Sequence, residues 1–366
     1  MESFKRRERV YLISKVMLFC LIFSFLAWIS YSTNENYTYQ HSVEFFKFSN
    51  VEQKIHENVK GRNIVLFIGI FTAGKYKNRR DAIRKTWMKT CHEEYYSDCK
   101  SKFILDGLSV EGKPMSSVIS KLRNESKYNN HDMEILQTPV GLNFALRILA
   151  SLRYAFHKYH FDYFLRMDDD YYPCIHRLMF ELPRRMNLDY VFWGFTKCSP
   201  ARNDEGFVLV NHKLAKRIIE HENSLICTNF GGTALSKWVL DISKTENISW
   251  FADNDRIWHH PPVSFVPELK TKKEICHTYL ALHGVYFNDM EVFHKIMLGE
   301  NKTDYTLNTV KNHCALPKHG IFPLWSRLPD GLCQEIPIFD KSNKEGSPWN
   351  GRENMARRSF SVSQKQ

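Results

Sequence analysis

Glycine and proline are scarce in this sequence, and it contains no internal repeat. Only 16 of the 366 residues are glycine and 13 are proline, which excludes a collagen-like chain. Charged residues make up 25% of the chain and aromatic residues 14%, a composition that excludes an intrinsically disordered protein. The length allows one large or two ordinary domains, each able to bury a core.

Long uncharged segments are also scarce, which excludes a protein with several membrane spans. One run, Val16 to Asn34, is long enough to cross a bilayer as a helix. Basic residues at positions 5, 6, 7 and 9 precede it, so the positive-inside rule predicts a cytosolic tail at 1–15 and a signal anchor at 16–34. A cleaved signal peptide is the alternative, but the residues after Trp28 offer no small-residue cleavage site.

The remaining chain divides by composition into a stem at 35–60, a lumenal domain at 61–340 and a polar tail at 341–366. The stem lacks sustained periodicity, and the tail is rich in glycine, serine and asparagine, so we expect the tail to be disordered. All four Asn-x-Ser/Thr sequons lie beyond the predicted span, which agrees with a lumenal body. They begin at Asn36, Asn124, Asn247 and Asn301.

The cysteines show no metal-binding spacing, because no Cys-x2-Cys pair occurs anywhere in the chain. Eight of the nine cysteines lie beyond the predicted span, and an even number fits up to four disulfides in an oxidising compartment. Eight cysteines can pair in many ways, so the sequence assigns no connectivity.

The net charge of +11 taken alone suggests nucleic acid, a membrane surface or an anionic substrate as partner. Residues 1–15 carry a net +3 and residues 351–366 another +3, which leaves +5 for everything between. The domain itself is therefore only modestly basic. This charge suits an anionic small molecule, and we expect no nucleic-acid partner.

Apolar runs alternate with amphipathic segments from about residue 63 onward. Strands are predicted at Asn63–Phe71, Lys102–Leu105 and Tyr163–Met167. Helices are predicted at Arg79–Thr90 and Gly141–Tyr159. Strands alternating with helices predict an α/β domain with a largely parallel central sheet.

Three consecutive aspartates, Asp168, Asp169 and Asp170, follow the last of these strands. Adjacent like charges are costly unless a cation or hydrogen-bond donors offset them, and Mg²⁺ or Mn²⁺ prefers such oxygen ligands. The end of a strand is also where α/β sheets bind ligands. A helix cap or an acidic surface turn is the plainer alternative. A two-metal phosphatase or nuclease needs a second acidic cluster, and none is evident.

Four motifs resemble, in order, those of the β-1,3-galactosyltransferase-like family, glycosyltransferase family 31. Arg79–Trp87 is similar to its Arg-Arg-x-Ala-Ile-Arg-x-Thr-Trp signature, and Phe164–Tyr172 to its Asp-x-Asp strand and turn. Phe230–Ser236 resembles its Gly-Gly segment, and Leu280–His283 its closing histidine. The resemblance spans about residues 63–296.

The resemblance implies a GT-A fold, a Rossmann-type single domain with a mixed, mostly parallel sheet. It also implies inverting transfer of galactose or N-acetylglucosamine from a UDP-sugar, with Mn²⁺, to a glycoprotein or glycolipid acceptor in β-1,3 linkage. The enzyme would be a type II protein of the Golgi membrane, with its catalytic domain in the lumen. A catalytically inactive relative acting as a chaperone or glycan-binding partner is the alternative, although the metal-binding acids are present.

The resemblance also assigns roles to the acidic triplet. Asp170 and His283 would be the protein ligands of the metal, with His294 as a fallback ligand. Asp168 would face the ribose or donor sugar, and Asp169 would support the turn. An imidazole is a reasonable Mn²⁺ ligand beside a carboxylate.

The first motif is expected to supply the nucleotide pocket. By resemblance Arg80, Arg84 and Trp87 would line it. Taken without the resemblance, two arginines four residues apart on a helix are more often solvated surface charges, and a tryptophan is more often core.

The general base is expected at residues 251–258, where the sequence departs from the family pattern. Inversion needs a base that takes the proton of the acceptor hydroxyl. Asp255 is the first choice, since the aromatic and aliphatic residues after it align best, and Asp253 is the second.

Overall fold

The computed structural model describes residues 64–110, 112–141, 143–198, 201–307 and 330–335. The predicted cytosolic tail, signal anchor, stem and polar tail lie outside these residues. Among the residues described, no helix combines the length and apolar character needed to span a membrane.

Twelve strands and nine helices are described, with short 3₁₀ turns between them. The strands are β1 Ile64–Phe71, β2 Cys99–Leu108, β3 Met133–Pro139, β4 Phe161–Asp168, β5 Tyr171–Pro173, β6 Tyr190–Cys198, β7 Ala201–Asn211, β8 Ile226–Thr228, β9 Ile248–Ala252, β10 Ile257–Trp258, β11 Ala281–His283 and β12 Asp330–Leu332. The helices are α1 Lys77–Lys85, α2 Trp87–Glu93, α3 Ser116–Tyr128, α4 Phe144–Lys158, α5 Ile175–Glu181, α6 His212–Glu220, α7 Gly231–Ile242, α8 Ile275–Thr278 and α9 Phe287–Gly299.

The central sheet has seven strands in the order β3-β2-β1-β4-β7-β6-β9. Only β7 runs antiparallel to its neighbours, and the other pairings are parallel. This confirms the predicted α/β class with a mixed, mostly parallel sheet. At the carboxyl end of β1, Phe71 pairs with Ile104 on one side and with Asp168 on the other. The acidic triplet therefore emerges beside the central strand.

The sheet is covered by helices on both faces, which explains why β1 is a continuous apolar run. Leu66, Ile68 and Ile70 point into a core shared with α1, α2, α5 and α9. Phe67 and Phe71 point into a second core shared with α4, α6 and α7. Each face removes a set of large side chains from water, and this burial drives the layered packing.

A small second sheet, in the order β10-β11-β5, contains the strand that directly follows the acidic triplet. Strand β5 begins at Tyr171, directly after Asp170, and pairs antiparallel with β11 so that Tyr171 lies opposite His283. A disulfide between Cys174 and Cys276 joins the two segments that carry these strands.

Two further disulfides are described, so three of the four that the cysteine count allows are accounted for. They join Cys91 to Cys99 and Cys227 to Cys333. Cys314 lies outside the described residues.

Candidate active site

A cavity of about 370 Å³ opens at the carboxyl ends of β1 and β4. All three aspartates of the triplet line it, together with Arg79 from α1 and Phe71 from β1. Its outer wall comes from the start of α4, where Arg147 pairs with Asp106 of β2. The sequence predicted a ligand site at the carboxyl end of the strand before the triplet, and the cavity lies at that end.

Asp169 ties the turn to the end of β1. Its carboxylate accepts hydrogen bonds from Thr72 Oγ1 at 2.6 Å and from Arg79 Nη1 at 2.7 Å, and its backbone N–H donates to the Phe71 carbonyl at 3.1 Å. Burial raises the pKa of this carboxyl, and the Arg79 guanidinium opposes that effect. These contacts hold the turn against the end of β1.

Asp170 and His283 face each other, with Oδ2 and Nε2 3.8 Å apart. His283 Nδ1 donates to the carbonyl of His259 at 2.8 Å, which leaves the Nε2 lone pair on the side of Asp170. The backbone N–H of Val285 donates to the Asp170 carbonyl at 2.9 Å and holds the two segments together.

This pair fits a divalent cation such as Mn²⁺, because a carboxylate oxygen and an imidazole nitrogen with a fixed tautomer converge on one point. Within the described residues no group of three or more histidine, cysteine or acidic side chains could hold a metal ion. A cation here would therefore have Asp170 and His283 as its protein ligands and would take the rest from substrate phosphates and water.

Asp168 is held from beneath by a buried arginine that the sequence did not single out. Arg166 Nη2 contacts Asp168 Oδ1 at 2.9 Å, and the guanidinium lies 4.5 Å from the ring centroid of Phe71. Arg166 Nε and Nη1 are buried with no hydrogen-bond partner among the described residues. The Asp168 side chain keeps 38% of its surface exposed, so it can reach a ligand in the cavity.

The Gly-Gly motif begins α7 and meets Glu205 of β7. The Glu205 carboxylate accepts the backbone N–H of Gly232 at 3.0 Å. Burial raises the pKa of Glu205, while Arg166 and the glycine N–H groups lower it. A Cβ on Gly232 would lie 2.3 Å from the Asn203 carbonyl oxygen, and one on Gly231 would lie 2.5 Å from the Glu205 carboxylate. The two glycines are therefore needed for helix and strand to approach.

The first motif contributes a different arginine to the cavity from the ones expected. Arg79 lies between the rings of Tyr76 and Tyr286, at 4.3 and 4.9 Å from their centroids, and is 4.0 Å from Asp170. Neither Arg80 nor Arg84 is among the described residues that line the cavity.

Arg80, Arg84 and Trp87 are instead structural. Arg80 has no exposed surface and binds Glu125 through Nε and Nη2 at 2.9 and 2.8 Å. Arg84 pairs with Asp132 and with the same Glu125, and Trp87 is fully buried in the core. This corrects their expected placement. The signal was available for Arg80, because it shares a helix face with the apolar Ile83.

The two candidate bases differ sharply in environment. Asp253 is 4% exposed and accepts hydrogen bonds from Trp193 Nε1 at 2.9 Å and from Arg256 Nη2 at 2.6 Å. Asp255 is exposed, in the turn that precedes β10. Neither is among the described residues of the cavity wall. His294, the fallback ligand, approaches Tyr172 at 3.4 Å rather than joining Asp170.

Comparison with known proteins gives matches in sequence and in structure. The galactosyltransferase family model matches residues 78–232. A protein of Arabidopsis thaliana described as probable beta-1,3-galactosyltransferase 4 is 26% identical over 157 residues, which are 42% of this chain. The chain covers 38% of that relative's length.

Two solved structures are similar at low identity. One is the galactosyltransferase LgtC in complex with donor and acceptor sugar analogs, with 9% identity, a TM-score of 0.31, and coverage of 59% of this chain and 86% of that one. The other is a glycosyltransferase involved in the glycosylation of the major capsid of PBCV-1, with 13% identity, a TM-score of 0.35, and coverage of 63% and 99%. By these sequence matches, the part of the chain at residues 78–232 is similar to the galactosyltransferase family.

Proposed function

We propose that this protein is a glycosyltransferase that moves galactose or N-acetylglucosamine from a UDP-sugar to a glycan hydroxyl in β-1,3 linkage, with inversion. The observation that carries the proposal is that Asp168 and Asp170 line one cavity beside Arg79, and that His283 lies 3.8 Å from Asp170. The two aspartates come from one motif of the sequence, while Arg79 and His283 come from two others. A site with several carboxylates and arginine side chains suits a nucleotide diphosphate bound together with a divalent cation.

The diphosphate of the donor is placed between Arg79 and the Asp170–His283 pair. A divalent cation held by that pair would neutralise charge on the departing UDP. Arg79 adds a positive charge from the other side, and its contact with Asp169 keeps it oriented. Tyr76 and Tyr286 restrict its guanidinium from both faces.

Asp168 is suited to accept a hydroxyl hydrogen bond from the ribose or the donor sugar. Burial raises the pKa of Asp168 well above its ordinary value, and Arg166, which fixes the carboxylate, opposes that effect. The aromatic ring of Phe71 and the aliphatic side chains of Val118 and Leu122 line the same cavity. Such a surface suits the nucleotide base.

The acceptor reaction needs a carboxylate that takes the proton from the attacking hydroxyl. Of the two candidates, Asp255 has the exposed side chain, while Asp253 is buried among donors. We therefore keep Asp255 as the proposed base. A glycoprotein or glycolipid in the Golgi lumen is the proposed acceptor, with the chain anchored through residues 16–34 as a type II membrane protein.

A donor screen with the purified full-length chain tests this function. UDP release would be measured with UDP-galactose and with UDP-N-acetylglucosamine, in the presence of Mn²⁺ and a glycan acceptor. We expect turnover with one donor. Asp170→Asn should lower that turnover by at least about a hundredfold, because removing even a residue that only orients a metal ligand can lower activity by up to about a hundredfold. The matched control is Asp241→Asn, because Asp241 lies on α7 and forms an exposed ion pair with Lys244.

Full turnover by Asp170→Asn would overturn the proposed role of the acidic triplet. Donor binding without any transfer by the unmodified chain would favour the inactive relative acting as a chaperone or glycan-binding partner.

A further inference from the structure

A buried chain of hydrogen bonds lies directly behind His283. The Tyr171 hydroxyl is 2.7 Å from His259 Nδ1, and His259 Nε2 is 3.3 Å from Asp204 Oδ2. Lys197 Nζ closes the chain at 2.9 Å from the same carboxylate. Tyr171 has no exposed surface, and His259 is 6% exposed. The mechanism proposed above uses none of these four side chains.

When His259 is neutral, each proton in this chain has one consistent position. The Asp204 carboxylate can only accept, so His259 carries its proton on Nε2, and its Nδ1 lone pair accepts the Tyr171 hydroxyl. Burial raises the pKa of Asp204, but hydrogen bonds and charge from His259 and Lys197 lower it by more, so the pKa lies well below its ordinary value. The backbone N–H of Gly206 also donates to Asp204 at 3.0 Å. The imidazole of His259 is therefore held at both nitrogens.

His259 is in turn the residue that orients His283. Its carbonyl accepts the N–H of His283 Nδ1, and its ring stacks on that of His283 at a centroid distance of 4.9 Å. Tyr171 follows the other proposed ligand, Asp170, in sequence and lies opposite His283 in the small sheet. Its ring also packs on the His283 ring, at a centroid distance of 4.8 Å. A Cβ on Gly206 would lie 2.7 Å from the Tyr171 ring, so glycine is what lets this ring pack.

We propose that Tyr171, His259 and Asp204 are positioning residues that fix the direction of the His283 imidazole for cation binding: Tyr171 and Asp204 hold the His259 ring that stacks on it, and the His259 carbonyl accepts its Nδ1–H. This inference rests on the proposed function, because it assumes that Asp170 and His283 hold a divalent cation. Outer partners that orient a histidine ligand typically change metal affinity by about 10–100-fold when they are removed.

The test removes one hydroxyl group and measures Mn²⁺ binding. The dissociation constant of Mn²⁺ is measured by isothermal titration calorimetry in the presence of UDP, for the purified full-length chain and for Tyr171→Phe. Tyr172→Phe is the matched control, because Tyr172 is equally buried on the same strand but its hydroxyl contacts Met297 and His294 instead.

We expect Tyr171→Phe to weaken Mn²⁺ binding by about tenfold or more, and Tyr172→Phe to leave it unchanged. Asp204→Asn should weaken binding in the same direction, since the neutral amide holds the His259 N–H less strongly. At saturating Mn²⁺, Tyr171→Phe should recover most of its turnover, which a merely unstable variant would not.

Three other outcomes would contradict these claims, and they are distinguishable. If the unmodified chain binds no Mn²⁺ with UDP, the proposed function itself fails. If it binds Mn²⁺ and Tyr171→Phe binds equally well, the positioning role is overturned. If both tyrosine variants lose affinity to the same extent, general loss of packing explains the effect, and the positioning role is again overturned.

Discussion

Two aspartates in one turn differ more in their surroundings than in their sequence context. Asp253 belongs to a buried network, since its partner Arg256 also pairs with Glu181. Asp255, two residues later, is exposed. Removing one partner of a buried ion pair leaves the other charge uncompensated, at a cost of about 3–5 kcal/mol. Exposed substitutions usually change stability by no more than about 0.5 kcal/mol.

The substitutions Asp253→Asn and Asp255→Asn should therefore have different kinds of effect. Asp253→Asn should lower the free energy of unfolding by about 3 kcal/mol or more, because Arg256 loses its charged partner. Asp255→Asn should fold normally and lower kcat by about 10²–10⁴-fold, the usual contribution of a general base. Denaturant unfolding and single-turnover kinetics, run on both variants, separate the two effects.

A fully active Asp255→Asn variant would place the base elsewhere in the site. A stable Asp253→Asn variant with low kcat and unchanged UDP affinity would transfer the assignment to Asp253.

At the scale of elements, the junction between β7 and α7 shapes one side of the site. Glu205 at the end of the polar part of β7 binds the first backbone N–H groups of the helix, where the helix dipole favours a negative charge. The same carboxylate is electrostatically coupled to Arg166, which holds Asp168. The Gly-Gly motif thus supports the position of Asp168 through backbone packing.

Gly232→Ala should destabilise the protein. The added Cβ would lie 2.3 Å from the Asn203 carbonyl oxygen, and backbone cannot give way as a flexible side chain can. Overpacking of this kind typically costs about 1–3 kcal/mol. The control is Gly299→Ala near the end of α9, where an added Cβ meets nothing within 4 Å and alanine favours the helix. Thermal unfolding of both variants measures the difference, and equal melting temperatures would contradict the packing argument.

Sequence patterns predicted the elements with strong periodicity and missed those that depend on distant partners. The strands at Asn63–Phe71 and Tyr163–Met167 and the helix at Gly141–Tyr159 are present with small shifts in their ends. Strand β7 begins with polar and charged residues, so it shows no apolar alternation, although it pairs on both sides. The three-residue strands β5 and β11 exist only because they pair with each other and with β10.

The same limit applies to the site. Motif order was enough to bring Asp170 and His283 together, and the structure places them 3.8 Å apart. The motif contains both Arg79 and Arg80, and the expectation named Arg80 for the pocket; the helix face decides that Arg80 is buried and that Arg79 lines the cavity. His259 acts through its carbonyl on His283, 24 residues away, and no local pattern encodes that contact.

For the molecule as a whole, the site joins two parts of the chain that are far apart in sequence. The Cys174–Cys276 disulfide lies beside both, since Cys174 follows β5 and Cys276 lies in α8, shortly before β11. It closes a loop with a sequence separation of 102, whereas Cys91–Cys99 closes one of 8. In the chain-entropy model these loops contribute about 4–5 and about 2–3 kcal/mol.

Removing Cys174–Cys276 should therefore cost more stability than removing Cys91–Cys99, and it should also weaken the site. The double variant C174A/C276A should unfold at lower denaturant than C91A/C99A and should bind Mn²⁺ with UDP more weakly, because nothing covalent then holds β5 beside β11. C91A/C99A, which joins α2 to β2 away from the acidic triplet, should keep its Mn²⁺ affinity. Denaturant midpoints and calorimetric titration, measured under non-reducing conditions, give both quantities. If the two double variants lose stability equally and both retain Mn²⁺ binding, the disulfide has no special part in holding the site together.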